Sequence, residues 1–278
     1  MQPDQARQLI DSQLEALSEA LAAGQSDRLQ AFLATMARFH RYSLGNTLLI
    51  MVQSPEATHV AGFATWLKLG RAVRKGEKGI AILVPIRPKA QAEDEKEKPD
   101  AKAKAKDGEE DERPVRFKVG YVFDVSQTEG DELPSLARPE GDPGQFLPQL
   151  RNLVSDMEIA LEYRDDLGGA DGLSSGGLIA IRQGLSPAEE FSTLVHELAH
   201  EKLHKGEGRV GTTKRSRELE AEAVACVVSQ GVGLLAEPAS SDYIQLYGGD
   251  KDALAASLFK IRDAAASILA ALDAGAFD

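Results

Sequence analysis

Apolar residues recur every three or four positions from Pro3 to about Ala23, at Leu9, Ile10, Leu14, Leu17 and Leu21, and again at Leu29, Phe32, Leu33, Met36 and Phe39. This spacing predicts two amphipathic helices, the second opened by Ser26 and Asp27. The compact apolar run Asn46 to Met51 predicts a third, stopped by Ser54-Pro55. Val60 to Phe63 then leads into a short helix over Thr65 to Leu69 with Gly70 as its stop. A turn across Val73 to Gly79 follows, and a strand from Ile80 to Ile86. A strand from Arg116 to Phe123 is expected to pair antiparallel with it. Later, Phe146 to Ile159 reads as a helix, Gly176-Gly177 as a turn before the strand Leu178 to Ile181, and Asp250 to Leu272 as an alanine-rich closing helix.

The segment 89–114 breaks this patterning: it holds seven basic and ten acidic side chains, no aromatic and no β-branched residue. Such a stretch has too little apolar surface to order itself. It is read as a disordered charged insertion at the tip of the hairpin, or alternatively as an interdomain linker. A second polar, glycine- and proline-containing stretch, 129–145, is the better linker. The expected architecture is α+β with two domains. Residues 1–128 form a helical domain with a small antiparallel sheet, and residues 146–278 form a second unit.

Composition narrows the picture without deciding it. The chain has 278 residues and 42% hydrophobic residues, enough for real cores, and no apolar run of eighteen residues that could span a membrane. The N-terminal sequence has no basic segment followed by an apolar one, so the expected location is cytoplasmic. The one cysteine, Cys226, lies in an apolar run and is expected to be a buried thiol.

Chemistry concentrates in His196-Glu197-Leu198-Ala199-His200. On a helix, the i, i+4 spacing points both imidazoles at one cation and leaves Glu197 facing a bound water. Ser186-Pro187-Ala188-Glu189 upstream is a capping box with proline at the first helical position, so the motif sits inside a well-started helix. A tetrahedral Zn²⁺ needs a third ligand. Glu218, on the next helical run, is the first choice, with Glu222 one turn on to orient a ligand imidazole and Glu220 pointing elsewhere. His204 continues the series, but His196 and His204 are about 12 Å apart along a straight helix. It is therefore a rim or packing residue. With Glu197 as general base, the expected chemistry is zinc-dependent peptide hydrolysis. The strand after Gly177 is either a structural strand or an edge that pairs with the peptide substrate.

The net charge of −12 is unevenly spread: between Arg38 and Pro88 there are eight basic residues against two acidic ones. Arg41, Lys68, Arg71, Arg74, Lys75 and Lys78 interleave with Tyr42, Phe63 and Trp66, a combination suited to single-stranded DNA through phosphate contacts and base stacking. Trp66 and Phe63 serve equally well as core anchors. Asn46 is a base or phosphate contact, or a cap.

Residues Tyr42-Ser43-x-x-Asn46, Pro55-x-Ala57-Thr58-x-Val60-x-Gly62-Phe63-x-Thr65-Trp66 and Leu69-Gly70-Arg71-x-Val73 through Ile80 resemble the N-terminal single-stranded-DNA-binding domain of ArdC-type antirestriction proteins. The resemblance implies a C-terminal zinc metallopeptidase domain similar to the ImmA/IrrE-like metallopeptidases. The resulting expectation has two parts: a single-stranded-DNA-binding module, and a zincin-like peptidase that acts on DNA-associated proteins in antirestriction or DNA protection. The alternative is a non-proteolytic DNA-shielding protein with a structural or vestigial zinc site.

Overall fold

The computed structural model describes residues 1–25, 27–86, 116–131, 141–236 and 250–274. The charged insertion 89–114 and most of the expected linker lie outside them. Three helices open the chain: α1 (Pro3–Ala22), α2 (Asp27–Arg38) and α3 (Leu44–Gln53). Their buried faces carry the apolar rhythm of the sequence, with Leu14, Leu17, Leu21, Phe32, Leu33 and Met36 all in the core.

Strand β1 (Val60–Ala61), helix α4 (Phe63–Lys68) and strands β2 (Arg71–Val73), β3 (Ile80–Pro85) and β4 (Phe117–Asp124) follow. β3 and β4 pair antiparallel, Ile80 opposite Val122 and Pro85 opposite Phe117, and β1 joins the far edge of β4. The expected linker begins differently. After one 3-10 turn, Thr128–Gly130 forms β5, which pairs antiparallel with β2. Gly130 is required there, because a Cβ would sit 2.3 Å from the Gly70 carbonyl oxygen and the backbone has φ 134°.

The second half contains α5 (Phe146–Asp156), β6 (Ala160–Arg164), β7 (Gly172–Ser174), β8 (Leu178–Arg182), α6 (Pro187–Leu203), α7 (Lys214–Gly231) and α8 (Lys251–Ala274). The sheet order is β6-β8-β7, with β6 parallel and β7 antiparallel to β8. Glu190 ties α6 to its neighbours: it accepts from Arg151 at 2.6 Å and from the Tyr163 hydroxyl at 2.6 Å.

Two apolar cores result. The smaller joins Phe39, Ile50, Ala57, Ile80, Ile82 and Val122 under the β3–β4 hairpin. The larger draws together α1 and α2 with α5 to α8, so helices from both ends of the chain share it. Among the described residues no helix is long and apolar enough to cross a membrane.

The α+β class stands, but the zincin-like metallopeptidase domain does not. The strand after Gly177, open between a structural strand and a peptide-pairing edge, is β8, the central strand of its sheet with its ladder groups paired on both sides, so the structural alternative is the one found. It has no free edge to offer.

Candidate metal centre and nucleic-acid surface

Helix α6 begins as the sequence predicts: Glu189 N–H donates to Ser186 Oγ at 3.4 Å, and Ser186 N–H donates to Glu189 Oε2 at 2.8 Å. The cap sets the helix phase that brings His196 and His200 side by side, Nε2 to Nε2 at 3.1 Å. α7 packs across α6 and delivers Glu218, whose Oε2 lies 3.6 Å from both nitrogens. Among the described residues this is the one three-donor group able to hold a metal ion.

The spacing fits a shared ion. Donors about 2.1 Å from a cation lie roughly 3.0 Å apart in an octahedron and roughly 3.4 Å apart in a tetrahedron. The observed separations of 3.1 and 3.6 Å span both geometries. Two imidazoles and a carboxylate also suit several divalent ions. The expectation of Zn²⁺ is therefore corrected to a divalent cation of unspecified identity.

The electrostatics suit ligation. Burial pushes His196 down, against the opposing charges of Glu218 and Glu222. His200 is pushed down to about 4 by burial and then by the neighbouring His196 charge. Glu197 is pushed up to about 7 by burial, with Glu218 and Glu201 adding to the shift. Its carboxylate lies against β7, where a Cβ on Gly172 would be 2.7 Å from both Glu197 Oε1 and Thr193 Cγ2, so a larger residue at that strand position would displace these side chains.

Two features of the site go beyond the sequence reading. Glu201 is buried and accepts from Ser174 Oγ at 2.7 Å, Gly176 N–H at 2.7 Å and Gly177 N–H at 2.8 Å, fastening the β7–β8 turn to α6. Burial would raise its carboxyl, but these bonds and Lys205 hold it below the ordinary range. His204, one turn past His200, is also buried. Its Nδ1 is 3.0 Å from His200 Nδ1 and its Nε2 is 2.9 Å from Glu220 Oε2. Burial pushes Glu220 up, yet the His204 hydrogen bond and the Lys260 charge prevail and keep it low. The i, i+4 continuation of the histidine series was the available signal for His204. Nothing in the sequence paired it with Glu220. Glu222 stands on the His196 side of the cleft with Glu218.

The residues expected to face DNA divide into two groups. Trp66 is 2% exposed and its indole N–H donates to the Phe123 carbonyl at 2.9 Å, so it anchors α4 to β4. Asn46 clamps β3: its side-chain N–H donates to the Leu83 carbonyl at 2.9 Å, and its oxygen accepts from Leu83 N–H at 2.8 Å. The Tyr42 hydroxyl donates to the Val60 carbonyl at 3.2 Å. Arg71 donates to Thr128 Oγ1 at 2.8 Å and to the Asp131 carbonyl, while Arg74 donates to the Ser126 carbonyl. These arginines join the loop 70–79 to β5 and the turn before it.

Lys68, Lys75, Lys78 and Arg41 form the second group and are exposed, Arg41 ion-paired to Asp273 at 3.1 Å; Arg74 is exposed as well despite its bond to Ser126. Sequence reasoning weighed Phe63 between core and stacking, and passed over Tyr121. Both are 52% exposed. Phe63 and Leu67 lie one turn apart on α4, ahead of Lys68, and Tyr121 packs against Gly79 beside Lys78.

Comparison with known proteins places this geometry. Residues 4–123 match the family model for the N-terminal domain of anti-restriction factor ArdC. The whole fold resembles the metal-free crystal structure of the antirestriction ArdC protein from plasmid R388. The TM-score is 0.53 at 18% identity, covering 96% of this chain and 98% of that one. A Mn(II)-bound structure of that protein aligns with a TM-score of 0.49 at 19% identity, covering 94% of this chain and 98% of that one. An uncharacterized protein of Bacillus anthracis is 25% identical over 273 residues, 86% of this chain and 46% of the relative, so the chain spans about half the length of that curated relative.

The fold is thus shared with a protein described as an antirestriction factor. The expectation of a zinc-dependent metallopeptidase, with its hydrolase chemistry and protein substrate, is corrected accordingly. His196, His200 and Glu218 form a cluster of donors that could hold a cation, and such a cluster alone does not make a protease. The role of Glu197 as base for peptide hydrolysis falls with that reading.

Proposed function

We propose that this protein is an ArdC-type antirestriction factor that binds single-stranded DNA and shields it without proteolysis. The observation that carries the reading is the match of residues 4–123 to the ArdC N-terminal domain, within which Phe63 and Tyr121 are both exposed. Aromatic faces stack on bases of any sequence, and lysines track phosphates. Lys68, Lys75 and Lys78 supply the charge, with Arg41 at the margin. Arg71, Arg74, Trp66, Tyr42 and Asn46 shape the platform. Such a protein works where DNA is, in the cytoplasm.

The cation site of His196, His200 and Glu218 is a brace in this reading, with Glu222 beside it. It ties α6 to α7, and a bound divalent ion would supply cross-linking between those helices. The test is fluorescence anisotropy with labelled oligonucleotides. Tight binding of single strands over duplex, with affinity falling steeply as salt rises, supports the reading. Equal binding of both forms, or failure to protect DNA from a restriction endonuclease, overturns it.

A further inference from the structure

The donor cluster sits between two hollows of opposite character. On one side, Lys205, Arg209, Lys214 and Arg217 line a cleft of about 840 Å³. On the other, Asp171 and Glu222 border a space of about 550 Å³ that no lysine or arginine lines. The basic side also holds carboxylates, but they are engaged: Glu201 accepts from Ser174, Gly176 and Gly177, and Glu218 lies against both imidazoles. Lys205 pairs with Glu201 at 3.7 Å, the one ion pair of the four cations among the described residues. The two arginines are held by backbone and hydroxyl groups instead. Arg209 Nε donates to the His204 carbonyl at 3.1 Å, and Arg217 Nη1 donates to the Thr212 carbonyl at 3.2 Å and to Thr212 Oγ1 at 3.1 Å. The same hydroxyl donates to the Arg209 carbonyl at 2.9 Å, so Thr212 ties the two arginines together. Each guanidinium keeps further N–H groups for a ligand.

We propose that this basic hollow binds a terminal phosphate group through Arg209, Arg217, Lys205 and Lys214. Guanidinium forks match phosphate oxygens in pairs, and lysines add point charges. An arginine already held at one nitrogen loses less side-chain freedom on binding than an unrestrained one. The opposite hollow sets the class of ligand. A strand laid across the cleft would press its following phosphates against Asp171 and Glu222, at a cost in like-charge repulsion. A ligand charged at one end meets no such penalty. That chemistry has two sources, a free phosphate or mononucleotide and the phosphorylated end of a DNA strand. The inference goes beyond the shielding reading, since it concerns the second half of the chain and needs no metal ion.

The test is amide chemical-shift mapping on the isotope-labelled full chain after metal is removed by dialysis. Inorganic phosphate and deoxyadenosine 5′-monophosphate should move the signals of residues 205–217, and deoxyadenosine should leave them in place. Shifts confined to residues 68–78, or no shifts at all, overturn the proposal, and no variant is needed for this arm. Short single strands then separate the sources. Movement with a 5′-phosphorylated strand and not with its 5′-hydroxyl counterpart identifies a strand end as ligand. Movement with the mononucleotide but with neither strand identifies the free ligand. Equal shifts with both strands overturn the assignment to a terminal group, because internal phosphates would then suffice. In titration calorimetry with inorganic phosphate, Arg209→Gln and Lys214→Gln should each bind about 10-fold more weakly than the parent. Unchanged affinity in both folded variants sinks the idea.

Discussion

Asn46 faces Leu83 as a neighbouring strand would, donating to its carbonyl at 2.9 Å and accepting from its N–H at 2.8 Å. Seven residues on, Gln53 does the same for Ala81, at 2.9 and 3.0 Å. The two amides occupy one face of α3, two turns apart, and close the outer edge of β3 with side chains in place of a strand. Asn46→Ala should cost about 1–3 kcal/mol, because it leaves two ladder groups unpaired. Urea unfolding would measure it, and DNA affinity of the folded fraction should hold.

The aromatic residues of the first half should separate cleanly by assay. Trp66→Ala should lose about 3–5 kcal/mol of stability. Phe63→Ala and Tyr121→Ala should leave the melting temperature near that of the parent, yet weaken single-strand binding by about 1–3 kcal/mol each. Unchanged anisotropy curves for both exposed-site variants would remove Phe63 and Tyr121 from the DNA interface.

Asp124 gives a pH signature remote from the metal centre. It is buried and accepts from Thr58 N–H at 2.8 Å, His59 N–H at 3.0 Å and Ser126 N–H at 2.9 Å. Burial pushes its carboxyl up, but the Ser126, Thr58 and His59 bonds outweigh that and hold it below the ordinary value of 3.8. Its folded pKa is thus depressed, so its stabilisation is present above the unfolded pKa and is lost as pH falls through the folded one. In acid titrations followed by circular dichroism, Asp124→Asn should flatten the decline in stability below about pH 4.

At the cation cluster, Glu218→Ala should remove most bound metal in elemental analysis, and Glu222→Ala should retain more of it. Metal content unchanged in the first variant would take Glu218 out of the ligand set.

Glu197→Gln separates the shielding reading from a catalytic one. The carboxylate is not among the three clustered donors, so this variant should keep bound metal and single-strand affinity. It should also protect DNA against endonuclease digestion as well as the parent does. Protection lost with binding intact would count against non-catalytic shielding.

Much of the scaffold could be read from the sequence because its signals are local. The apolar rhythm of α1 and α2, the capping box of Ser186 and Glu189, and the i, i+4 pair His196 and His200 each depend on a few neighbouring residues. What escaped depends on contacts far apart in the chain. Arg71 looks like part of a DNA-binding loop until β5 arrives to take its guanidinium group, and Arg74 does so until the turn before β5 offers the Ser126 carbonyl. Gly176 and Gly177 resemble the approach to an edge strand, but β6 and β7 flank β8 on both sides. Glu220 reads only as a carboxylate pointing away from the ligand face of its helix until α6 brings His204 to it. The zinc and peptidase expectations came from a five-residue motif, a carboxylate on the next helix and a family resemblance, and the motif specifies ligand spacing but neither the ion nor the surrounding cleft.

The larger core couples events that the linear order keeps apart. α2 contributes Phe32 and Met36 to the same apolar mass as Val224 and Val228 of α7, the helix that carries Glu218. A ligand that binds only the native form stabilises every element that unfolds with its site. Removing a divalent ion bound between α6 and α7 would consequently loosen α1 and α2 as well. Amide exchange at the N-terminal helices would then report metal occupancy through the core they share with α7.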